Sequence, residues 1–168
     1  KEGLFLSTCN RVEALCTTDN SEESSRAIIS IMVQMGALPE DQFIPSLFTF
    51  KGVEAVQHMF LVASSLASMF VGEPQILWQI KESYALATRE KTSAVIINML
   101  MHRAFHVTKR VRTETGIADA AVSISYAAVE LAKKIFYKLE WKQVLLIGAG
   151  EMAELAAKHL MGNGVISL

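Results

Sequence analysis

The run Ser7-Thr8-Cys9-Asn10-Arg11-Val12-Glu13 sets a thiol beside a guanidinium, directly after the short apolar segment Leu4-Phe5-Leu6. Small polar neighbours hold Cys9 out of an apolar environment. Partial exposure and adjacent positive charge lower a thiol pKa, and the thiolate is the reactive form. An ordinary thiol has a pKa of about 8.5 and is only a few per cent thiolate at neutral pH, so the neighbour decides its nucleophilicity. The competing reading makes Cys9 a small apolar filler, the commoner fate of an intracellular cysteine. A second chemical signal lies far along the chain. Gly148-Ala149-Gly150-Glu151-Met152-Ala153 follows the apolar run Val144-Leu145-Leu146-Ile147 and opens a helical pattern. This is the dinucleotide fingerprint in its G-x-G-x-x-A form. Gly148 permits a tight turn, Gly150 lets backbone N–H groups approach a pyrophosphate, and Ala153 lets the helix pack closely on the strand. The helix N-terminus then favours the anion. A turn of the same shape that binds nothing is the alternative. The acidic residue that reads a ribose hydroxyl usually follows about 20 residues on, where the sequence stops, so the residues present leave NAD and NADP open.

The elements that must position these groups follow from periodicity. Leu4 to Leu6 and Val12 to Thr17 read as short strands flanking the Cys9 loop. Asp19-Asn20-Ser21, with Glu22 and Glu23, starts a helix that Ile28, Ile31, Met32 and Met35 carry inward to a C-cap at Gly36. Pro39 to Pro45 reads as a connection, and Leu47-Phe48-Thr49-Phe50 as a further strand. From Val53 to Ala63 the spacing of Val53, Val56, Met59, Phe60 and Ala63 predicts a helix. Ser64 to Val71 fits no single element, and Gly72 breaks it. Glu73 and Pro74 suit the first turn of a helix running to about Glu90, with Ile76, Ile80, Tyr84 and Ala87 on one side. A further helix spans about Ser93 to Glu114, with Ile96, Leu100, Val107 and Val111 inward and Gly116 closing it. Ile124 to Phe136 is a fourth long helix, with Ala127, Ala128, Leu131 and Ile135 facing a partner. Lys138 to Lys142 then links to a buried strand at Val144 to Ile147, the glycine turn and helix, and a second strand from Val165 to Leu168.

Composition narrows the function classes. The chain has 168 residues, 51% hydrophobic and 20% charged, which is the balance of a globular domain. A net charge of −1 carries no global basic field, so any nucleic-acid contact must be local. Two cysteines, Cys9 and Cys16, without a Cys/His cluster form neither a disulfide scaffold nor a zinc site. A reducing compartment suits a thiol nucleophile. No apolar run reaches the roughly 20 residues of a membrane span, and no signal peptide stands out, so a cytoplasmic protein is expected. The chain begins at Lys1 without a methionine and ends at Leu168 in a strand pattern, so it reads as part of a longer protein. The eight methionines are scattered, and Met99 and Met101 are read as core filler.

Ser-Thr-Cys-Asn-Arg-Val-Glu resembles the active-site signature of glutamyl-tRNA reductase. His58 to Lys81, Val111 to Leu131 and Val144 to Leu160 fit the same family in the same order, so the resemblance covers nearly the whole chain. It implies that Cys9 and His58 are catalytic, with His58 near the thiol as its base or as a proton donor. It implies substrate contacts at Thr8, Asn10, Arg11, Ser68, Glu73, Pro74, Gln75 and Gln79. Alone, His58 reads as a half-buried helix histidine. Gln75 and Gln79 are four apart on one helix face, which without the resemblance is an ordinary solvated face. Arg11 is the expected clamp for the substrate's side-chain carboxylate, because its planar fork binds carboxylate at two points. Its plainer reading is an ion pair with Glu13. The resemblance further implies NADPH as cofactor, glutamyl-tRNA as substrate, a homodimer for the full-length protein, and handover to glutamate-1-semialdehyde aminomutase.

The second block departs from the family pattern at four places. Ala67 stands where an aspartate is usual, Trp78 and Ser65 where glycines are, and Leu61 where an arginine is common. These changes motivate an alternative, a non-catalytic nucleotide-binding or regulatory module on a reductase-like scaffold. A generic nucleotide-binding dehydrogenase accounts for Gly148 to Ala153 but not for Cys9 to Arg11. Arg103, Lys109, Arg110 and Arg112 make one helix end basic, either to complement its dipole or to meet a tRNA backbone. The expected architecture is an α+β catalytic, glutamyl-tRNA-binding domain with long helices over residues 1–138. The first β-α-β portion of an α/β Rossmann domain follows over 139–168.

Overall fold

The computed structural model describes residues 1–8, 10–36, 39–117 and 124–167, apart from the side chains of Ile124 and Glu151. Cys9, on which the chemical reading centres, lies outside the described residues, as does Leu168. The chain forms two compact units, Lys1–Asp119 and Ala120–Leu168.

In the first unit, β1 (Glu2–Ser7) and β2 (Val12–Thr17) form an antiparallel hairpin running from the pair Ser7–Val12 to the pair Glu2–Thr17. Leu4 and Leu6, alternating along β1, turn one face into the core. Helix α1 (Ser21–Gly36) starts where Asn20 Oδ1 accepts the Glu23 N–H at 3.2 Å, an N-cap that satisfies one of the free first-turn donors. Helices α3 (Val53–Ala63), α4 (Gln75–Arg89) and α5 (Val95–Glu114) supply the rest of the core. Between α1 and α3 lie a short α2 (Glu40–Phe43) and a 3-10 turn at Ile44–Ser46. Met59, Val62 and Ala63 meet Ile76, Ile80 and Ala87, and both sets meet Ile97, Met101 and Ala104 under Leu4 and Leu6. Glu2 ties the hairpin to α5, because its carboxylate accepts the N–H groups of Ala94, Ile96 and Ile97 at 2.7–3.0 Å. These are the donors a helix start leaves unsatisfied.

Several expectations need correction. Leu47–Phe50 is extended but pairs with no strand among the described residues, and Phe48 is 85% exposed. A strand needs a neighbour, and α2 and the 3-10 turn bring none. The buried face of α5 is Ile97, Met101, Ala104 and Thr108; of the residues expected inward, Leu100 packs half-buried against this core, Val107 and Val111 are half-buried, and Ile96 is exposed. Both sets recur at helical spacing, so periodicity alone cannot choose between them. Of the two methionines read as filler, Met101 is core and Met99 is exposed. In α1 only Met32 is fully buried; Ile31 and Met35 are exposed.

In the second unit, α6 (Ile124–Phe136) packs on α7 (Glu151–Gly162) around Val129, Leu139, Leu160 and Val165. The packed side of α6 is Ser125, Val129 and Ala132, not the expected Leu131 and Ile135, which are exposed. The run Val144–Ile147 is not a buried strand here. Its only ladder contact among the described residues is a parallel bridge from Gln143 to Ser167. Val144 and Leu146 face the small core, whereas Leu145 and Ile147 are 83% and 92% exposed, because nothing described covers their side. Gly148, with φ +119°, then turns the chain into α7, whose N-cap is Gly150.

Candidate functional site

The loop between β1 and β2 is built by Thr8. Its N–H donates to the Arg11 carbonyl at 2.8 Å, and its Oγ1 accepts the N–H groups of Asn10 at 3.2 Å and Arg11 at 3.1 Å. A hydroxyl that bonds backbone two and three residues on closes a turn without needing glycine. The turn holds the residues on both sides of Cys9, and it aims Arg11 back along the hairpin.

Arg11 Nη1 donates to Glu13 Oε1 at 2.8 Å, and Nη2 donates to the Ala67 carbonyl. The same Glu13 oxygen lies 3.1 Å from His58 Nε2 on α3. One carboxylate thus joins the guanidinium of the hairpin to the imidazole of a helix. A carboxylate at Nε2 favours a proton there, so in the neutral ring Nδ1 is the acceptor. Phe50 stacks on the imidazole with ring centres 4.6 Å apart, which fixes the ring plane.

The connection from α3 to α4 is shaped by its backbone. Ser65 is fully buried at φ +60°, its Oγ donates to the Glu73 carbonyl at 2.6 Å, and its carbonyl accepts the Gly72 N–H at 3.0 Å. A positive φ favours glycine, so Ser65 holds a backbone conformation that a serine rarely takes. Glu73 has its carboxyl pushed up from the ordinary range by burial, against the pull of the nearby Arg11 charge. Ser68 adjoins Ala67 in this connection. Pro74 is the N-cap of α4, just outside its first turn, and Gln75 begins the helix, with Gln79 one turn on. Ser68, Gln75 and Gln79 are half-buried, Pro74 is exposed, and Trp78 is 61% exposed.

Contacts therefore bring Thr8, Arg11, His58 and Glu73 together, with Ser68, Pro74, Gln75 and Gln79 following along the same connection. Sequence pattern does not mark two contributors. Glu13 reads from sequence only as an ion-pair partner of Arg11. Its two-residue offset from Arg11 was the available signal for a shared side of the hairpin. Phe50 was placed in a strand, and no periodic signal links it to His58. Among the described residues no cluster of His, Cys, Asp and Glu is placed to hold a metal.

In the second unit Gly148, Ala149 and Gly150 are exposed, and Ala153 is half-buried with its N–H donating to the Gly150 carbonyl at 3.0 Å. Gly148 needs glycine for its φ. Gly150 does not: its φ of −81° is ordinary, and among the described residues no atom beyond its chain neighbours stands within 4 Å of where a Cβ would be. A glycine unneeded by the protein's own packing fits a ligand that approaches the main chain at a helix N-terminus. Met152 is exposed, and the side chain of Glu151 lies outside the description.

These features define a class: an α+β unit carrying a polar hairpin site, followed in sequence by the opening of a Rossmann-type domain. Residues 1–115 match the family described as glutamyl-tRNAGlu reductase, N-terminal domain, and residues 130–168 match shikimate / quinate 5-dehydrogenase. The chain belongs to the glutamyl-tRNA reductase family. It is 57% identical over 162 residues to glutamyl-tRNA reductase of Desulfatibacillum aliphaticivorans, covering 96% of this chain and 37% of that protein. The Syntrophus aciditrophicus reductase is 51% identical, with 100% of this chain and 40% of that protein covered. The solved glutamyl-tRNA reductase from Methanopyrus kandleri superposes with a TM-score of 0.61 at 40% identity, over 98% of this chain and 38% of that one. The chain thus spans well under half the length of these relatives. No described helix is long and apolar enough to cross a membrane.

Proposed function

We propose that the full-length protein reduces glutamyl-tRNA(Glu) to glutamate-1-semialdehyde, the first step of the five-carbon route to tetrapyrroles, using NADPH. The Arg11–Glu13–His58 assembly beside the Thr8–Arg11 contacts, in a chain whose residues 1–115 match the reductase family, carries this reading. The work divides between a catalytic part up to residue 138 and a nucleotide-binding part from 139, although α6 packs with the latter.

In this reading Cys9 attacks the ester carbonyl carbon of glutamyl-tRNA. A carbon–sulfur bond forms, the ester carbon–oxygen bond breaks, and the ribose hydroxyl leaves with a proton. His58 carries that proton: with Nε2 held by Glu13, Nδ1 accepts it from the thiol and returns it to the leaving oxygen. Arg11 has N–H donors beyond those spent on Glu13 and Ala67, and these take the substrate's side-chain carboxylate. Glu73, whose carboxyl burial pushes up while the Arg11 charge pulls it down, borders the same guanidinium. Thr8 and Asn10 shape the turn around the nucleophile, and Ser68, Pro74, Gln75 and Gln79 line the polar end of the acyl group. The Gly148–Ala153 turn, including Ala149, Glu151 and Met152, would hold the pyrophosphate of NADPH, which would supply a hydride to the acyl carbon while the carbon–sulfur bond breaks and Cys9 leaves as the thiolate. The full-length protein works in the cytoplasm as a homodimer and passes its product to glutamate-1-semialdehyde aminomutase.

The deciding experiment is mass spectrometry of the full-length protein after incubation with glutamyl-tRNA and no reductant. A glutamyl adduct on Cys9, absent from Cys9→Ser while NADPH binding persists, is expected. Reductase activity retained in Cys9→Ser would remove the thiol from the mechanism. Reaction of Cys9 with a thiol probe at neutral pH separates this reading from a non-catalytic module, whose cysteine stays inert.

A further inference from the structure

A groove of about 520 Å³ opens on the first unit, lined by Leu77 and Lys81 of α4 and by Phe105, His106, Lys109 and Arg112 of α5. Leu77 and Phe105 are half-buried and give it an apolar floor. Lys81 Nζ stands 5.8 Å above the Phe105 ring, and Arg112 Nη1 donates to the Gly72 carbonyl at 3.3 Å, so two cations are held in place. Among the described residues Lys81, Lys109 and Arg112 have no acidic partner within ion-pair distance. Arg110 is different: both ends of its guanidinium sit on Glu114 at 2.9 and 3.1 Å, and it does not line the groove. The structure therefore sorts the basic helix end. It keeps Lys109 and Arg112, discards Arg110, and adds Lys81 from a neighbouring helix.

Uncompensated cations over an apolar floor suit a polyanion whose charged groups alternate with flat, less polar ones. Position agrees with this. Arg112, part of the groove lining, holds the Gly72 carbonyl next to Glu73. The groove thus borders the connection that carries the proposed acyl-group contacts. We infer that it binds the phosphate backbone of the substrate's RNA close to the aminoacylated end. This rests on the function proposed above.

The test measures binding of deacylated tRNA to the full-length protein across a salt series, for wild type, Lys81→Gln, Lys109→Gln and the double variant. Each lysine lost should flatten the slope of log affinity against log salt by about 1 and weaken all tRNAs alike. Lys109→Arg should restore the slope. Thermal unfolding midpoints and single-turnover acylation of Cys9 at saturating glutamyl-tRNA should stay at wild-type values. A double variant with wild-type slope and affinity overturns the inference. So does a groove that binds inorganic phosphate, loses it in the double variant, and leaves tRNA affinity unmoved. If wild type binds tRNA but is never acylated, the proposed activity fails while the slopes still judge the groove. If it is acylated and the slopes do not move, the groove alone fails.

Discussion

Gly72→Ala measures how tightly the α3–α4 connection is specified. Gly72 has φ +89°, and a Cβ there would stand 2.4 Å from the Ile117 carbonyl oxygen and 3.3 Å from Ile117 Cγ1. The obstruction is main chain, so it cannot swing aside. Forcing an L-residue into left-handed space costs about 1–2 kcal/mol. Overpacking by a methyl group adds about 1–3 kcal/mol, for a total of roughly 2–5 kcal/mol. Gly52 is the control: its φ of +56° with ψ −125° is backbone space that costs an L-residue about 1–3 kcal/mol, but among the described residues nothing lies within 4 Å of its Cβ position, so Gly52→Ala bears the backbone cost alone. Urea unfolding of the full-length variants should show both midpoints lowered, Gly72→Ala by more, with unchanged slopes. The Gly72 N–H and carbonyl also hold Ser65 and Arg112. A shift there moves the Ala67 carbonyl away from Arg11, and KM for glutamyl-tRNA should rise with the loss of stability. A Gly72→Ala protein no less stable than Gly52→Ala would refute the packing argument.

Three further outcomes follow from the same contacts. For Glu2, burial acts to raise the pKa, but the N–H groups of Ile97, Ile96 and Ala94 outweigh it and hold the carboxyl below its ordinary value. Its contribution is thus complete above the unfolded glutamate pKa of about 4.3 and is lost as pH falls through the folded value; the stability gap between wild type and Glu2→Gln should close in acid unfolding curves. Glu73 has the opposite sign: its raised pKa means the native state binds more protons just above the ordinary range, so stability declines as pH rises there. Glu73→Gln should remove that decline, and Arg11→Met should move the Glu73 titration higher still, read from its side-chain carboxyl carbon shift. Gly150→Ala should leave unfolding within about 0.5 kcal/mol of wild type, as at an unstrained exposed site, yet weaken NADPH in a fluorescence titration; equal affinity would show that nothing approaches that backbone.

The sequence was most informative where one physical demand dominates. The hairpin around residues 8–11, the Asn20 cap and the bounds of α3 and α6 follow from alternation, capping and helical period, and the structure contains all of them. It was least informative where two answers satisfy the same pattern. Helix α5 is apolar on adjoining faces, so packing under Leu4 and Leu6 buries Ile97 and Met101, half-buries Leu100 and leaves Ile96 exposed. Leu47–Phe50 has the composition of a strand, but pairing is a tertiary fact that composition does not contain. The dipeptide-scale link from Arg11 to Glu13 was visible, whereas the link from Arg11 to Ala67 spans 56 residues and ends on a carbonyl, a group every residue has.

That last contact bears on how the α3–α4 connection is held. The partners that hold the α3–α4 connection are mostly main-chain oxygens: Ala67 for Arg11, Glu73 for Ser65, Gly72 for Arg112. A side-chain change at 67 leaves the carbonyl where it was, so the Ala67 side chain has no part in the contact to Arg11. Ser65 takes a backbone conformation that favours glycine, and its hydroxyl, buried with it, finds the Glu73 carbonyl and is left with no unsatisfied polar atom. What the site cannot surrender is therefore the path of the main chain. The residue guarding that path most strictly is Gly72, where a Cβ has no room, rather than any of the side chains by which the site would be recognised.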